Sequence, residues 1–244
     1  MKKFLTLIAL FAMTLGVAAQ TFYEWKDGKY TARSISEIDS ITFSLPNVKT
    51  IPDNAVDLGL PSGTLWADRN VGADTPEDYG DYYAWGETTP KSLYNWSSYK
   101  WCNGSETTMT KYCTNSSYGT VDNKTVLDAE DDAATANWGN EWRMPTYAEY
   151  AELDAECTWA WTTQNGVKGY KVTGPNGNSI FLPAAGYSCS DNVNYVGSNG
   201  SYWSSSLVED GRSHIAYYIS LGSFDHFIYY TSRGDGRSVR AVVK

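Results

Sequence analysis

The apolar positions of this chain change rhythm along its length. A largely apolar run from Phe4 to Val17 follows Lys2 and Lys3 and ends at Val17-Ala18-Ala19. Its 14 residues fall short of the roughly 20 needed to cross a bilayer. A basic start, an apolar middle and a small-residue end predict a secretory signal peptide cleaved after Ala19. Strand-like patterning then takes over. Phe22-Tyr23-Glu24-Trp25 and Ile35–Phe43 read as strands, and Lys26-Asp27-Gly28-Lys29 carries an Asp-Gly turn, so residues 22–45 predict a β-hairpin. Pro46 to Asn54 reads as a linker. These boundaries divide the chain into a signal peptide (1–19), a hairpin with its linker (20–50) and a larger domain (55–244).

Within the larger domain, helical spacing is visible twice. Asp131-Asp132-Ala133-Ala134-Thr135-Ala136 places acids before helix formers, as the positive end of a helix dipole favours. Thr146 and Glu149 form a T-x-x-E capping box, and Tyr147, Tyr150 and Leu153 recur on one helical face. The remainder is β-like. Thr64–Ala67 is a strand candidate, and Tyr82–Gly86 a second aromatic segment. Tyr170–Thr173 and Ser179–Leu182 flank the turn Gly174–Asn178. Ile215–Leu221 and Phe227–Tyr230 are further strands. Val239, Ala241 and Val243 alternate with Arg240 and Val242 as a final strand. Residues 88–125, rich in Ser, Thr, Asn and Gly, predict a long loop region. Two helices followed by a run of strands predict an α+β fold with a mostly antiparallel sheet.

Charge narrows the partners. The chain carries a net charge of −9; removing Lys2 and Lys3 takes it to −11. An acidic exported chain is a poor match for nucleic acid or for an anionic membrane surface. No later stretch is long and apolar enough to span a membrane, and the oligomeric state is not legible. Cys102, Cys113, Cys157 and Cys189 remain after cleavage, and export with an even count predicts disulfides. Three connectivities are open; Cys102–Cys113 with Cys157–Cys189 is favoured, the first closing a short local loop.

The region from Ala184 onward alternates firm words with unpatterned polar and aromatic segments. Gly200–Ser206 and Ser238–Val242 read as frame; Trp203 and Arg240 are expected to be scaffold, with Arg240 placed to pair with a carboxylate. Between them lie irregular segments, and loops on a rigid frame are where recognition sits. The candidate ligand-binding residues are Ser190, Asp191, Asn192, Asn194 and Tyr195; Asp210, Arg212 and His214; Tyr218; and Phe224, Asp225, His226, Tyr229 and Tyr230. Tyr and Phe offer stacking area at low entropy cost, and the polar residues offer directional bonds. These residues are expected to share one exposed face.

Several words occur in a fixed order: Val56-Asp57-Leu58-Gly59-Leu60-Pro61-Ser62-Gly63-Thr64-Leu65-Trp66-Ala67, Tyr83-Ala84-Trp85-Gly86-Glu87-Thr88, Asp131-Asp132-Ala133-Ala134, Trp142-Arg143-Met144-Pro145-Thr146, Phe181-Leu182-Pro183-Ala184-Ala185-Gly186, Tyr202-Trp203-Ser204-Ser205-Ser206 and Ser238-Val239-Arg240-Ala241-Val242. The ordered set resembles the Fibrobacter succinogenes major paralogous domain family, common in exported proteins of gut Bacteroidota. The resemblance implies a C-type-lectin-like fold with first and last strands paired, and a non-enzymatic role. C-type lectins proper bind sugar through calcium with carboxylates in Glu-Pro-Asn and Trp-Asn-Asp words. Here Gly174-Pro175-Asn176 and Asn137-Trp138-Gly139 supply none. Asp128, Glu130, Asp131 and Asp132 offer oxygen ligands of the kind calcium takes, but read more simply as a solvated helix start. No metal or cofactor is called for.

Composition adds one observation. Between Val172 and Val243 there is no Lys, Gln or Met, Glu209 is the one Glu and Trp203 the one Trp; upstream through Lys171, Lys occurs 11 times and Glu 10 times. The irregular segments use residues reachable from an Asn codon with randomised adenines. This resembles the variable region of proteins diversified by a retroelement; an ordinary paralogous adhesin with a Lys-poor β half fits equally. No catalytic constellation stands out. A Ser204–His214–Asp225 set can be drawn, but nothing in the sequence positions it. The expectation is therefore an exported, adhesin-like module binding a glycan or a surface protein. The alternatives are an exported hydrolase or modifying enzyme on the same fold and a structural surface-assembly protein.

Overall fold

The computed structural model describes residues 21–26, 29–34 and 51–243. The chain divides into two compact units, Met1–Thr50 and Ile51–Lys244. In the first, β1 (Thr21–Lys26) pairs antiparallel with β2 (Lys29–Ser34), from Lys26↔Lys29 outward. The returning strand is therefore Lys29–Ser34, not Ile35–Phe43, which lies outside the described residues together with residues 1–19.

The second unit is a sheet-rich α+β fold, and its strand pairs are antiparallel. β3 (Ala55–Asp57) and β4 (Leu65–Ala67) form a small sheet with β13 (Val242–Val243), so the beginning and end of the unit are zipped together. The 3-10 turn Ala129–Asp131 leads into α1 (Ala133–Trp138), whose N-cap Asp132 accepts from Ala134 and Thr135 N–H. α2 (Tyr147–Glu156) starts on the expected capping box, with both Thr146 and Glu149 bonds present. Tyr150 and Leu153 are buried, whereas Tyr147 stays exposed and meets Tyr217.

Three strands follow in a meander: β5 (Thr158–Gln164), β6 (Val167–Thr173) and β7 (Ser179–Pro183). β8 (Tyr187–Cys189) and β9 (Asn192–Asn194) form a short ribbon. The last sheet has the order β10 (Asn199–Leu207), β11 (Ile215–Gly222), β12 (His226–Ser232). Between residues 68 and 128 no named helix or strand occurs, as the loop-rich composition predicts.

Side chains on opposite faces of β10–β11 feed different cores, because successive residues of a strand point to opposite sides. Trp203 and Ala216 join Tyr83, Trp85, Tyr112 and Val239. Tyr202, Ile219 and Leu221 join Tyr150, Leu153, Tyr170 and Leu182 under α2. The final segment does not alternate between inside and outside: Val239, Arg240, Ala241, Val242 and Val243 are all buried.

Among the described residues the four cysteines are unpaired, which corrects the expected disulfides. Cys102 Sγ donates to the carbonyl of Trp96, and Cys113 Sγ to that of Asn115. The loop between them is closed by backbone pairing instead, including Thr110 N–H to Trp101 O. Cys157 is the C-cap of α2, where burial pushes its thiol up to about 11, while Cys189 is exposed on β8.

The acidic cluster also has a different occupant from the one its composition suggests. Asp128, Glu130 and Asp131 lie within reach of one cation, and that position holds Lys111 Nζ, at 2.8, 3.0 and 2.6 Å from them. Asp132 is spent on the α1 cap and on Met144 N–H. Hydrogen bonds from Lys111 and Lys124 hold Asp128 down at about 2. A carboxylate depressed in the folded state stabilises above its unfolded value of about 4 and loses that contribution as pH falls toward 2. Asp128 is one-third exposed, so its own share is screened to under about 1 kcal/mol. Thermal midpoints of wild type and Lys111→Met should differ most near neutral pH and converge on acidification through that window.

Candidate functional site

The predicted residues fall into three places. Ser190, Asp191, Asn192, Asn194 and Tyr195 form the tip of the β8–β9 ribbon and its exit. Ser190 and Tyr195 both hold left-handed backbone (φ +56° and +61°). The Ser190 backbone is pinned by reciprocal bonds with Tyr94, and Asn192 donates to Asp191. Tyr195 is 64 % exposed and stacks on Tyr187, centroids 5.9 Å apart.

The other two places are opposite faces of the β11–β12 hairpin. Cross-strand partners share a face, so Tyr229 lies with Tyr218, and Phe227 with Ser220. Tyr230 lies with Tyr217, and His226 with Leu221, on the reverse face. There His226 stacks on Trp159 at 4.2 Å and contacts Asp154 at 2.8 Å. Arg212 pairs with Asp210 and covers the ring of Tyr230 at 4.4 Å. His214 stacks on Tyr118 at 4.7 Å, and burial lowers its pKa. Phe224 and Asp225 occupy the hairpin turn; Phe224 is fully exposed, and Asp225 accepts the His226 N–H.

The candidate set is thus not one surface, contrary to the expectation. Tyr195, Tyr218 and Tyr229 belong to one side; Arg212, His226 and Tyr230 to the other. The diversification reading required a shared face, and the division removes that geometric support. The drawn triad is not assembled either. His214 precedes β11 and Asp225 follows it, about 25 Å apart at roughly 3.3 Å per strand residue. The Ser204 hydroxyl is buried against the carbonyl of Tyr217.

On the Tyr218 side the structure adds residues that sequence reasoning treated as neutral. A cavity of about 320 Å³ is lined by Tyr187, Tyr195, Asn199, Ser201, Tyr218, Ser220, Thr231, Asp235 and Arg237. Its floor is the segment before the last strand. Gly236 exchanges both backbone bonds with Ser188, and Arg237 exchanges both with Tyr83. A Cβ on Gly236 would meet the Tyr94 ring at 2.7 Å, so glycine is required for this approach. The clamp leaves Asp235 and Arg237, two residues apart, on the same side. Burial raises the Asp235 carboxyl above its ordinary range, against Arg237, Cys189 and Thr231. The same burial lowers Arg237, opposed by Asp235 and Tyr218. The signal available in sequence was Gly234-Asp235-Gly236-Arg237, opposite charges at strand spacing between glycines.

No protein-family profile, curated protein or solved structure matches this chain. Among the described residues no helix is long and apolar enough to cross a membrane.

Proposed function

We propose that this chain is an exported binding module of C-type-lectin-like fold, a relative of the family its ordered words resemble, whose recognition surface is the Tyr218 side of the β11–β12 hairpin. The observation that carries the reading is the set of aromatic rings left in solvent there, Phe227 at 53 % and Tyr229 at 56 %, with Phe224 at 100 % in the adjoining turn and Tyr195 at 64 % exposure on the cavity rim. Rings exposed in a group, on a hairpin held by a well-packed sheet, mark interaction surfaces. Pairing of β13 with β4 and two helices beside antiparallel sheets support the fold assignment. The ligand is a glycan or a protein on a surface outside the cell.

The test is a triple variant, Phe224→Ser/Phe227→Ser/Tyr229→Ser, compared with wild type on a glycan array and against defined surface proteins. Exposed positions outside special features shift stability by only about 0.5 kcal/mol each, so the midpoint should move by a few degrees at most. Binding should fall at least tenfold, as expected on losing aromatic anchors. No binding by wild type in either format, or equal binding by the variant, overturns the proposal.

A further inference from the structure

Three arginines are buried among the described residues, and they are not alike. Arg233 donates from Nε to the Tyr99 hydroxyl, from Nη1 to the carbonyls of Tyr112 and Ser213, and from Nη2 to that of Lys111. Arg240 donates from Nε and Nη2 to Asn70 Oδ1, from Nη1 to Ala67 O, and from Nη2 to Phe181 O. Arg237 is as deep, 3 % exposed, yet its guanidinium is more thinly held, by a 3.5 Å contact from Nη1 to Asp235 and by the Tyr218 hydroxyl. Its Nε is buried without a partner. The group lies instead among rings, 4.4 Å from Tyr218, 4.8 Å from Trp203 and 5.0 Å from Tyr187. Ser201 Oγ, on the same cavity wall, is a second buried polar atom without a partner. Buried donors are nearly always satisfied, so two unsatisfied ones lining one cavity point to an occupant that accepts hydrogen bonds.

We infer that this cavity is a subsite for one neutral sugar ring, held without calcium. The inference rests on the binding-module reading and names the ligand chemistry of its cavity. At about 320 Å³ the space lies at the small end of the roughly 300–1,000 Å³ of ligand sites, room for a single ring. The stacked rings of Tyr187 and Tyr195 provide one apolar wall. Asp235 accepts from one hydroxyl while Arg237 donates to its neighbour, so adjacent hydroxyls, which both donate and accept, complete the pair. The adjacent carboxylate and guanidinium cancel, and Asp235 disfavours a carboxylate-bearing sugar.

The probes are methyl glycosides of glucose, galactose and mannose, with glucuronic acid as the acidic comparison. Each is titrated into the mature chain with excess chelator and followed by saturation-transfer NMR. At least one neutral glycoside should bind, unaffected by chelator. Tyr195→Ala, an exposed position, should weaken it at least tenfold with an unchanged near-ultraviolet spectrum, and Arg237→Met should abolish it. Binding by glucuronic acid alone, loss on chelation, no binding by any neutral glycoside, or full binding by Tyr195→Ala overturns the inference. The hairpin triple variant leaves Tyr195, Asp235 and Arg237 in place. Loss of surface binding there with no glycoside bound means that the recognition face stands and the sugar subsite falls. Glycoside binding with no surface ligand means the reverse.

Discussion

Arg240→Ala should unfold this domain or come close to it. Asn70 would lose both donors to its Oδ1, and Ala67 and Phe181 would lose donors to buried carbonyls. Removing one partner from a buried charged network costs about 3–5 kcal/mol, a large share of the roughly 5–15 kcal/mol available to a domain. At about 2–4 °C per kcal/mol for a unit of this size, the thermal midpoint should fall by roughly 6–20 °C. Arg237→Met supplies the internal control. It removes one weak contact, one unsatisfied donor and three cation–ring contacts and leaves the Asp235 carboxylate without its partner, but an apolar side chain of similar volume suits the Tyr187–Trp203–Tyr218 surroundings, so its midpoint should fall clearly less than that of Arg240→Ala. A loss at Arg237 equal to that at Arg240 would mean that both are structural and that the cavity has no reserved donor.

That contrast shows what a sequence can and cannot disclose. α2 was legible because its start is local: Thr146 and Glu149 satisfy each other within one turn. The β6–β7 hairpin was legible from Gly174–Asn178 for the same reason. β5 was missed although Trp159 and Trp161 alternate with Thr and Ala, because nothing beside it marks a turn until Asn165-Gly166. The stretch from 68 to 128 has no period to read. Its order comes from ring-to-carbonyl bonds across the fold, such as Trp85 Nε1 to Ser204 O and Tyr99 OH to Trp85 O. The cavity was the least legible part. Whether a buried arginine is saturated depends on which carbonyls surround it, and those come from strands far apart in sequence. The expected carboxylate partner of Arg240 proved to be an amide and two carbonyls.

Trp203→Ala should produce the second large loss, and should do so without touching the exposed hairpin rings. Trp203 was expected to be frame, and it lies fully buried within the nine-residue strand β10. Its ring is fully buried beside Tyr83, Trp85 and Val239, and its Nε1 donates to the carbonyl of Tyr83 at 2.8 Å. Truncation leaves a cavity in the core and removes one of the two donors to the Tyr83 carbonyl, which keeps the Arg237 N–H. Large aromatic-to-alanine changes in cores cost about 3–5 kcal/mol, with roughly another 0.5–1.5 kcal/mol for the lost hydrogen bond. Trp203→Phe separates the two contributions, since it keeps most of the volume and loses the N–H, and should cost the smaller part. Chemical denaturation followed by far-ultraviolet circular dichroism measures both. If Trp203→Ala keeps wild-type stability and loses only ligand binding, Trp203 is a contact residue and the cavity extends deeper than its lining indicates.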